Sequence, residues 1–157
     1  MAHTAEVRGV GVTVGEEGMG APAVLLEARE QILPIFIGAS QAQSIEGARQ
    51  DIPPERPMTH DLLIEMFTEV GGAIDRVRID DLADNTFYAK VDAELIRAGE
   101  RQKHVFDARP SDGIALSVRV GCPIKITDDV LDRAARPPEE FFEDPDEEME
   151  FRDFEDS

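Results

Sequence analysis

The chain predicts an α+β fold made of two successive units, each of three strands followed by two helices. Three observations predict it. Residues 86–96 alternate with period two, placing Phe87, Ala89, Val91, Ala93 and Leu95 on one face and Tyr88, Lys90, Asp92 and Glu94 on the other. Behind Thr59, the residues Leu62, Leu63, Met66, Phe67 and Val70 recur at helical spacing. The order of extended and helical segments before Gly71 then recurs after it. Ile35-Phe36-Ile37 aligns on Val105-Phe106-Asp107, and Ser40 on Ser111, as an internal duplication would produce.

The elements follow in order. Residues 5–14 alternate loosely and end in a Gly15-Glu16-Glu17-Gly18 turn. Residues 23–28 and 32–37 are the next strands, separated by a charged turn at Arg29-Glu30. A short helix over 40–49 offers Ala42, Ile45 and Ala48 for one face, and a proline-rich connection leads to the helix that Thr59 caps. Gly71-Gly72 stops that helix. In the second unit, 73–79 is a strand, 80–85 a turn rich in Asp and Asn, 86–96 a strand and 101–107 its partner. A helix over 111–120 is apolar through its middle, which predicts burial. Gly121-Cys122-Pro123 ends it, 123–126 is extended, and Thr127 caps a last helix through Arg133 with Asp128 and Asp129 in its first turn. The domain expected is 1–136. Residues 137–157 are low-complexity and acidic, expected to be disordered, with scattered phenylalanines that could dock a partner.

Length and composition suit one domain with its own core: 157 residues, 41% hydrophobic. No apolar run approaches the ~20 residues of a membrane span. The first residues lack the basic-then-apolar pattern of a secretory signal, so the expected compartment is the cytoplasm. A single cysteine, Cys122, excludes an intrachain disulfide and a cysteine-built metal site. Its apolar neighbourhood reads as packing, whereas a catalytic thiol wants an electropositive setting.

The net charge is −18, and residues 139–157 supply eleven acids against one arginine. Only three lysines stand beside thirteen arginines. An acid-coated, lysine-poor surface matches proteins of molar salt, where repulsion is screened within ~3 Å. The expectation is a halophilic source, the alternative an acidic protein with a charged tail. Nucleic-acid binding normally depends on basic residues and counterion release, and no Lys/Arg stripe with interleaved aromatics is present.

Two polar blocks run straight into apolar helical patterns: residues 56–63, Arg-Pro-Met-Thr-His-Asp-Leu-Leu, and residues 107–116, Asp-Ala-Arg-Pro-Ser-Asp-Gly-Ile-Ala-Leu. Together with Leu33-Pro34-Ile35-Phe36-Ile37-Gly38, the stretch from Asp81 to Ala89, and Cys122-Pro123-Ile124, they resemble the bifunctional nuclease domain family over residues 5–133. The resemblance implies that the two repeats form a single barrel-like sheet with helices packed outside. It also implies phosphodiester hydrolysis of DNA or RNA. Where family members often carry an acid just after the Gly38 turn, this chain has Gln41.

Each candidate residue has a functional and a structural reading. His60 suits a general base or a metal ligand, or it holds the helix start to the sheet. Asp61 stands beside it in the first helical turn. Asp107 and Asp112, brought together by a turn, could hold Mg²⁺ or Mn²⁺ through oxygen. Alternatively, Asp112 caps the helix and Asp107 pairs with Arg109. Arg109 and Arg56 could each bind a phosphate or brace a turn. Ser111 reads as a cap or a substrate contact rather than a nucleophile, because the strand–Gly-x-Ser-x-Gly–helix elbow is missing. Glu46 is a further carboxylate, and no phosphate loop, zinc pattern or dinucleotide fingerprint is present. The leading expectation is therefore a metal-assisted nuclease with His60, Asp61, Asp107 and Asp112 as catalytic residues and Arg56, Arg109 and Ser111 on the substrate. The alternatives are a non-catalytic module binding a small ligand or protein, and a structural homo-oligomer.

Overall fold

A computed structural model describes residues 1–15 and 18–142. Seven strands form one sheet: β1 (Ala2–Gly15), β2 (Gly18–Ala28), β3 (Gln31–Phe36), β4 (Gly72–Ala83), β5 (Thr86–Arg97), β6 (Glu100–Ala108) and β7 (Ile124–Thr127). Among the described residues four α-helices accompany them: α1 (Ala39–Arg49), α2 (Thr59–Glu69), α3 (Pro110–Val120) and α4 (Asp128–Ala134). The strand order is β3-β2-β1-β7-β4-β5-β6. Each consecutive trio is an antiparallel meander. The short β7 joins them, antiparallel to β1 and parallel to β4. The element order expected from the sequence is thus present, and the fold is α+β.

The barrel implied by resemblance is not formed: the sheet is open, with β3 and β6 at its two edges. Both edges carry a local reason. Pro34, paired with Leu25, has no amide to donate outward from β3. The first residues of β6, Glu100, Arg101, Gln102 and Lys103, are all exposed and polar, which marks a solvated edge.

Turn chemistry sets the meanders. Arg29-Glu30, Asp84-Asn85 and Ala98-Gly99 all have positive φ at both positions, the two-residue turn whose twist matches paired strands. The Asp-Asn turn is therefore shorter than expected, because β4 runs on to Ala83. The Gly15–Gly18 turn falls at Glu16 and Glu17, outside the described residues. At the end of α2, Gly71 has φ +94°, and a Cβ there would stand 2.8 Å from the carbonyl oxygen of Ile96, so glycine is required.

The main core lies between sheet and helices, joining Val24, Leu26 and Leu33 to Ile45, Ile79, Ile114 and Ile126. α3 is buried through its middle, as its composition predicts. β2 is buried on both faces: Ala23 and Leu25 turn away from that core and meet Ile32 and Phe142. Arg8 stacks over the Phe142 ring at 4.9 Å and pairs with Glu27. Packed structure therefore continues past residue 136, through a 3₁₀ turn at Pro138–Glu140 to the buried Phe142. The remaining acidic stretch, 143–157, lies outside the described residues. Among the described residues, no helix is long and apolar enough to cross a membrane.

Candidate functional site

The two polar blocks meet where α1, α2 and α3 converge. α2 begins one residue earlier than its expected cap: Met58 is the N-cap, with extended backbone, and Thr59 is the first helical residue. The backbone N–H of Met58 donates to Asp61 Oδ2 at 2.9 Å, so the acid in the first turn closes the helix start. α3 also begins one residue before its expected start, without a side-chain cap. Arg109 is the N-cap and Pro110 the first helical residue, where its missing amide costs nothing. Ser111 is therefore inside the helix and is not its cap; it is buried.

Asp112 is the centre of the site. Its Oδ1 lies 2.9 Å from His60 Nε2, and its Oδ2 accepts from Arg109 Nε at 2.8 Å. His60 Nδ1 lies 3.0 Å from Ser44 Oγ on α1. Ser44 Oγ in turn accepts from Arg119 Nη2 at 3.0 Å, and Arg119 Nε donates to Asp61 Oδ1 at 2.8 Å. One connected chain thus runs Arg109–Asp112–His60–Ser44–Arg119–Asp61. With Arg119 donating to Ser44, the serine hydroxyl is free to donate to Nδ1. Neutral His60 then carries its proton on Nε2, facing the carboxylate.

Burial is the largest single influence on Asp112 and pushes its carboxyl up. Hydrogen bonds and charge from Arg109 and His60 outweigh it and leave the pKa below its ordinary value. Asp61 behaves alike: burial raises it, while the Met58 amide and Arg119 lower it further. Arg119 is the most enclosed ion of the group, its side chain 8% exposed, and it also donates to the Ala115 carbonyl.

Ser44 and Arg119 were not legible as site residues. Arg119 lies seven residues after Asp112 on α3, the spacing that returns to one helical face, and this was the available signal. Ser44 carried none, since it sits among small residues of α1.

The other candidates fall out as follows. The Asp107–Arg109 pair, the structural alternative for these residues, does not form: Asp107 stands opposite Lys90 in the β5–β6 register, 3.7 Å from its ammonium, and is 78% exposed. Glu46 is buried and held by Gln50 and Arg49 within α1. Arg56 is exposed on the bend before α2 and takes no part in the connected chain. Cys122 is half-buried, and burial pushes its thiol up, which suits packing rather than nucleophilic chemistry.

Two hollows flank Arg109. One lies between α2 and β6, with His60, Asp107, Arg109 and Asp112 at its polar end and Leu63 and Phe106 at its apolar end. The other is bordered by Gly38, Gln41, Asn85, Thr86, Arg109 and Ser111. Asp107 and Asp112 share the first hollow, but they do not present a ready cation site. Both oxygens of Asp112 already accept hydrogen bonds, and Asp107 stands beside an ammonium. Among the described residues, no three His, Cys, Asp or Glu side chains are grouped to hold a metal.

The family model of the bifunctional nuclease domain matches residues 23–139. An uncharacterized protein of Mycobacterium tuberculosis is 43% identical over 131 residues, covering 82% of this chain and 75% of that protein. Bifunctional nuclease 2 of Oryza sativa subsp. japonica is 27% identical over 114 residues, 70% of this chain and 34% of the rice protein. Bifunctional nuclease 1 of Arabidopsis thaliana is 27% identical over 109 residues, 67% of this chain and 33% of the plant protein. This chain therefore matches about a third of each plant nuclease. On the extent of the family match and the identity to the mycobacterial protein, the chain belongs to the bifunctional nuclease domain family.

Proposed function

We propose that this protein hydrolyses phosphodiester bonds of DNA or RNA in the hollow between α2 and β6. The observation that carries the reading is the Arg109–Asp112–His60 cluster opening onto that hollow, on a chain of this family. Arg109 is a bidentate-capable cation, 69% exposed, held at the mouth by a single carboxylate. An incoming phosphate competes for it and draws it off Asp112 Oδ2. That oxygen is then free to accept a proton from an attacking water while the water oxygen bonds to phosphorus. The P–O bond to the leaving alcohol breaks with its electron pair, and that oxygen takes a proton from solvent.

Both nitrogens of His60 are held inside the protein, so the water-activating role expected of it passes to Asp112. His60 orients that carboxylate and stabilises it. Ser44, Arg119 and Asp61 are positioning residues that act through His60. Arg56 is exposed on the bend before α2, outside the lining of the hollow, and has a role in this reading only for a substrate long enough to reach it. A Mg²⁺ or Mn²⁺ ion on Asp107 and Asp112 belongs to this reading only with Arg109 displaced, and no step above depends on one.

The test is cleavage of single- and double-stranded DNA and RNA in high KCl, with Mg²⁺, with Mn²⁺ and with chelator, beside an Asp112→Asn protein purified identically. Cleavage lost in the variant supports the site, and its dependence on cation decides the metal. Equal cleavage by both proteins overturns it. Absence of cleavage in either favours the alternative, a module that binds a small anionic ligand at Arg109 without turnover.

A further inference from the structure

α2 is the anomaly of this fold. None of its 11 residues is buried, although Leu62, Leu63, Ile64, Met66 and Phe67 are all large and apolar. Leu62 and Leu63 are each 50% exposed, Met66 61%, and Val70 just beyond them 65%. Phe106 on β6, in edge-to-face contact with Phe67, is 48% exposed. At ~100° per residue, Leu62, Leu63, Met66 and Val70 share one flank of the helix, while among its apolar side chains Ile64 packs on the Val77–Val91–Leu116 cluster and the Phe67 ring lies against Gly72. The flank and Phe106 together expose roughly 500 Å² of apolar surface, near the top of what a monomer tolerates. A standard interface takes ~800 Å² per partner, about 65% of it apolar in homodimers, so this patch supplies the apolar centre of one such interface.

We propose that this face docks a second copy of the chain about a two-fold axis, the two α2 helices lying antiparallel. Charge favours that occupant. α2 carries Glu65 and Glu69 in its second half and no Lys or Arg, while at its start Asp61 is paired with Arg119 and exposed Arg56 stands beside exposed Glu55. Antiparallel packing sets each acidic half beside the other copy's Arg56 and helix N-terminus. Phe142 packs on Leu25 and Ile32 of β2 and β3, at one edge of the sheet, whereas α2 leans on β4 and α3 and touches β6 at the other.

Two consequences follow. Thr59, His60, Leu63 and Phe67 line the hollow from the α2 side, so the second copy borders the candidate site and narrows its mouth. Two copies of net charge −18 repel, so association strengthens as the screening length falls from ~10 Å in 0.1 M salt to ~3 Å in 1 M. The inference does not rest on the hydrolytic reading.

Sedimentation equilibrium of the full chain in ~1 M KCl, across a concentration series, tests it. The expected particle has twice the 17.3 kDa of the chain. Leu62→Glu and Met66→Glu, each at an exposed position and checked for retained helix by circular dichroism, raise the dissociation constant by about 100-fold or more. Tyr88→Glu, on the opposite face of β5, leaves it unchanged. A wild type that stays monomeric up to about 100 µM overturns the proposal, and that includes the case in which the chain's own acidic end covers the patch. A dimer indifferent to both α2 substitutions overturns it as well.

Discussion

His60 Nε2 and Asp112 Oδ1 lie 2.9 Å apart although 52 residues separate them in the chain. Each sits in the first turn of its helix, so the contact joins the starts of α2 and α3. It is fixed from behind by Ser44, which Arg119 orients. The pair is therefore neither a surface ion pair nor an accident of one turn. Three helices must be correctly seated for it to form.

Asp112→Asn tests the chemistry with the least change of shape. The amide can accept one hydrogen bond but cannot anchor Arg109 by charge or take a proton from water. Hydrolysis should fall by roughly 100-fold or more, the scale of losing a positioned base. The fold should persist, which near-ultraviolet circular dichroism can verify. Undiminished turnover in the variant would remove Asp112 from the mechanism.

Arg119→Met tests the network's structural share. Arg119 is 8% exposed and satisfies Asp61, Ser44 and the Ala115 carbonyl at once. Removing it takes one partner each from the Asp61 carboxylate, the buried Ser44 hydroxyl and the Ala115 carbonyl, while Met58 and His60 still hold Asp61 and Ser44, at a cost of about 1–3 kcal/mol in urea unfolding. Asp61 is itself 35% exposed, so Asp61→Asn should cost less, solvent already screening that partner. Arg119→Lys keeps the charge but not the planar fork and should recover only part of the loss. Equal stability of wild type and Arg119→Met would show the network to be ornamental.

The acid limb of stability should carry the same signature. Asp61 and Asp112 both have folded pKa values below their ordinary 3.8. A lowered carboxyl contributes stability that is complete above the unfolded value and is lost as pH falls through the folded one. Wild type should therefore lose stability below about pH 4 more steeply than Asp61→Asn or Asp112→Asn. Parallel unfolding curves for all three proteins between pH 5 and 2.5 would contradict this.

Much of this was legible in sequence because it is local. The period-two run of β5, the buried middle of α3 and the Asp84-Asn85 turn each follow from neighbours a few residues apart. His60, Arg109 and Asp112 were visible because they stand in two polar blocks that run straight into apolar helical patterns, although capping and bracing roles were open to each of them there. The open sheet was written locally too, in Pro34 and in the charged start of β6, but the barrel expectation came from resemblance. The alternative pairing of Asp107 with Arg109 was missed by a strand effect: Asp107 stands opposite Lys90 across the β5–β6 ladder, while Arg109 turns to Asp112 in the next helix. Ser44 was invisible because its partners, His60 and Arg119, come from two other helices, and nothing in α1 announces them.

Gly113→Ala probes how tightly α3 must sit for the site to exist. In an open helix the change would gain about 1 kcal/mol from propensity. Here a Cβ would stand 2.7 Å from Cγ1 of Val77, which is fully buried on β4 and stiff at χ1. Overpacking of that kind costs about 1–3 kcal/mol, so the clash wins and the variant should be less stable than wild type. Relief can come only by lifting α3 from the sheet, and Asp112 is the preceding residue. Hydrolysis should therefore drop along with the melting temperature. In a Val77→Ala background the space is open, and the same Gly113→Ala change should become neutral or stabilising. If it destabilises both backgrounds equally, the close approach of α3 to β4 is not what holds Asp112 against His60.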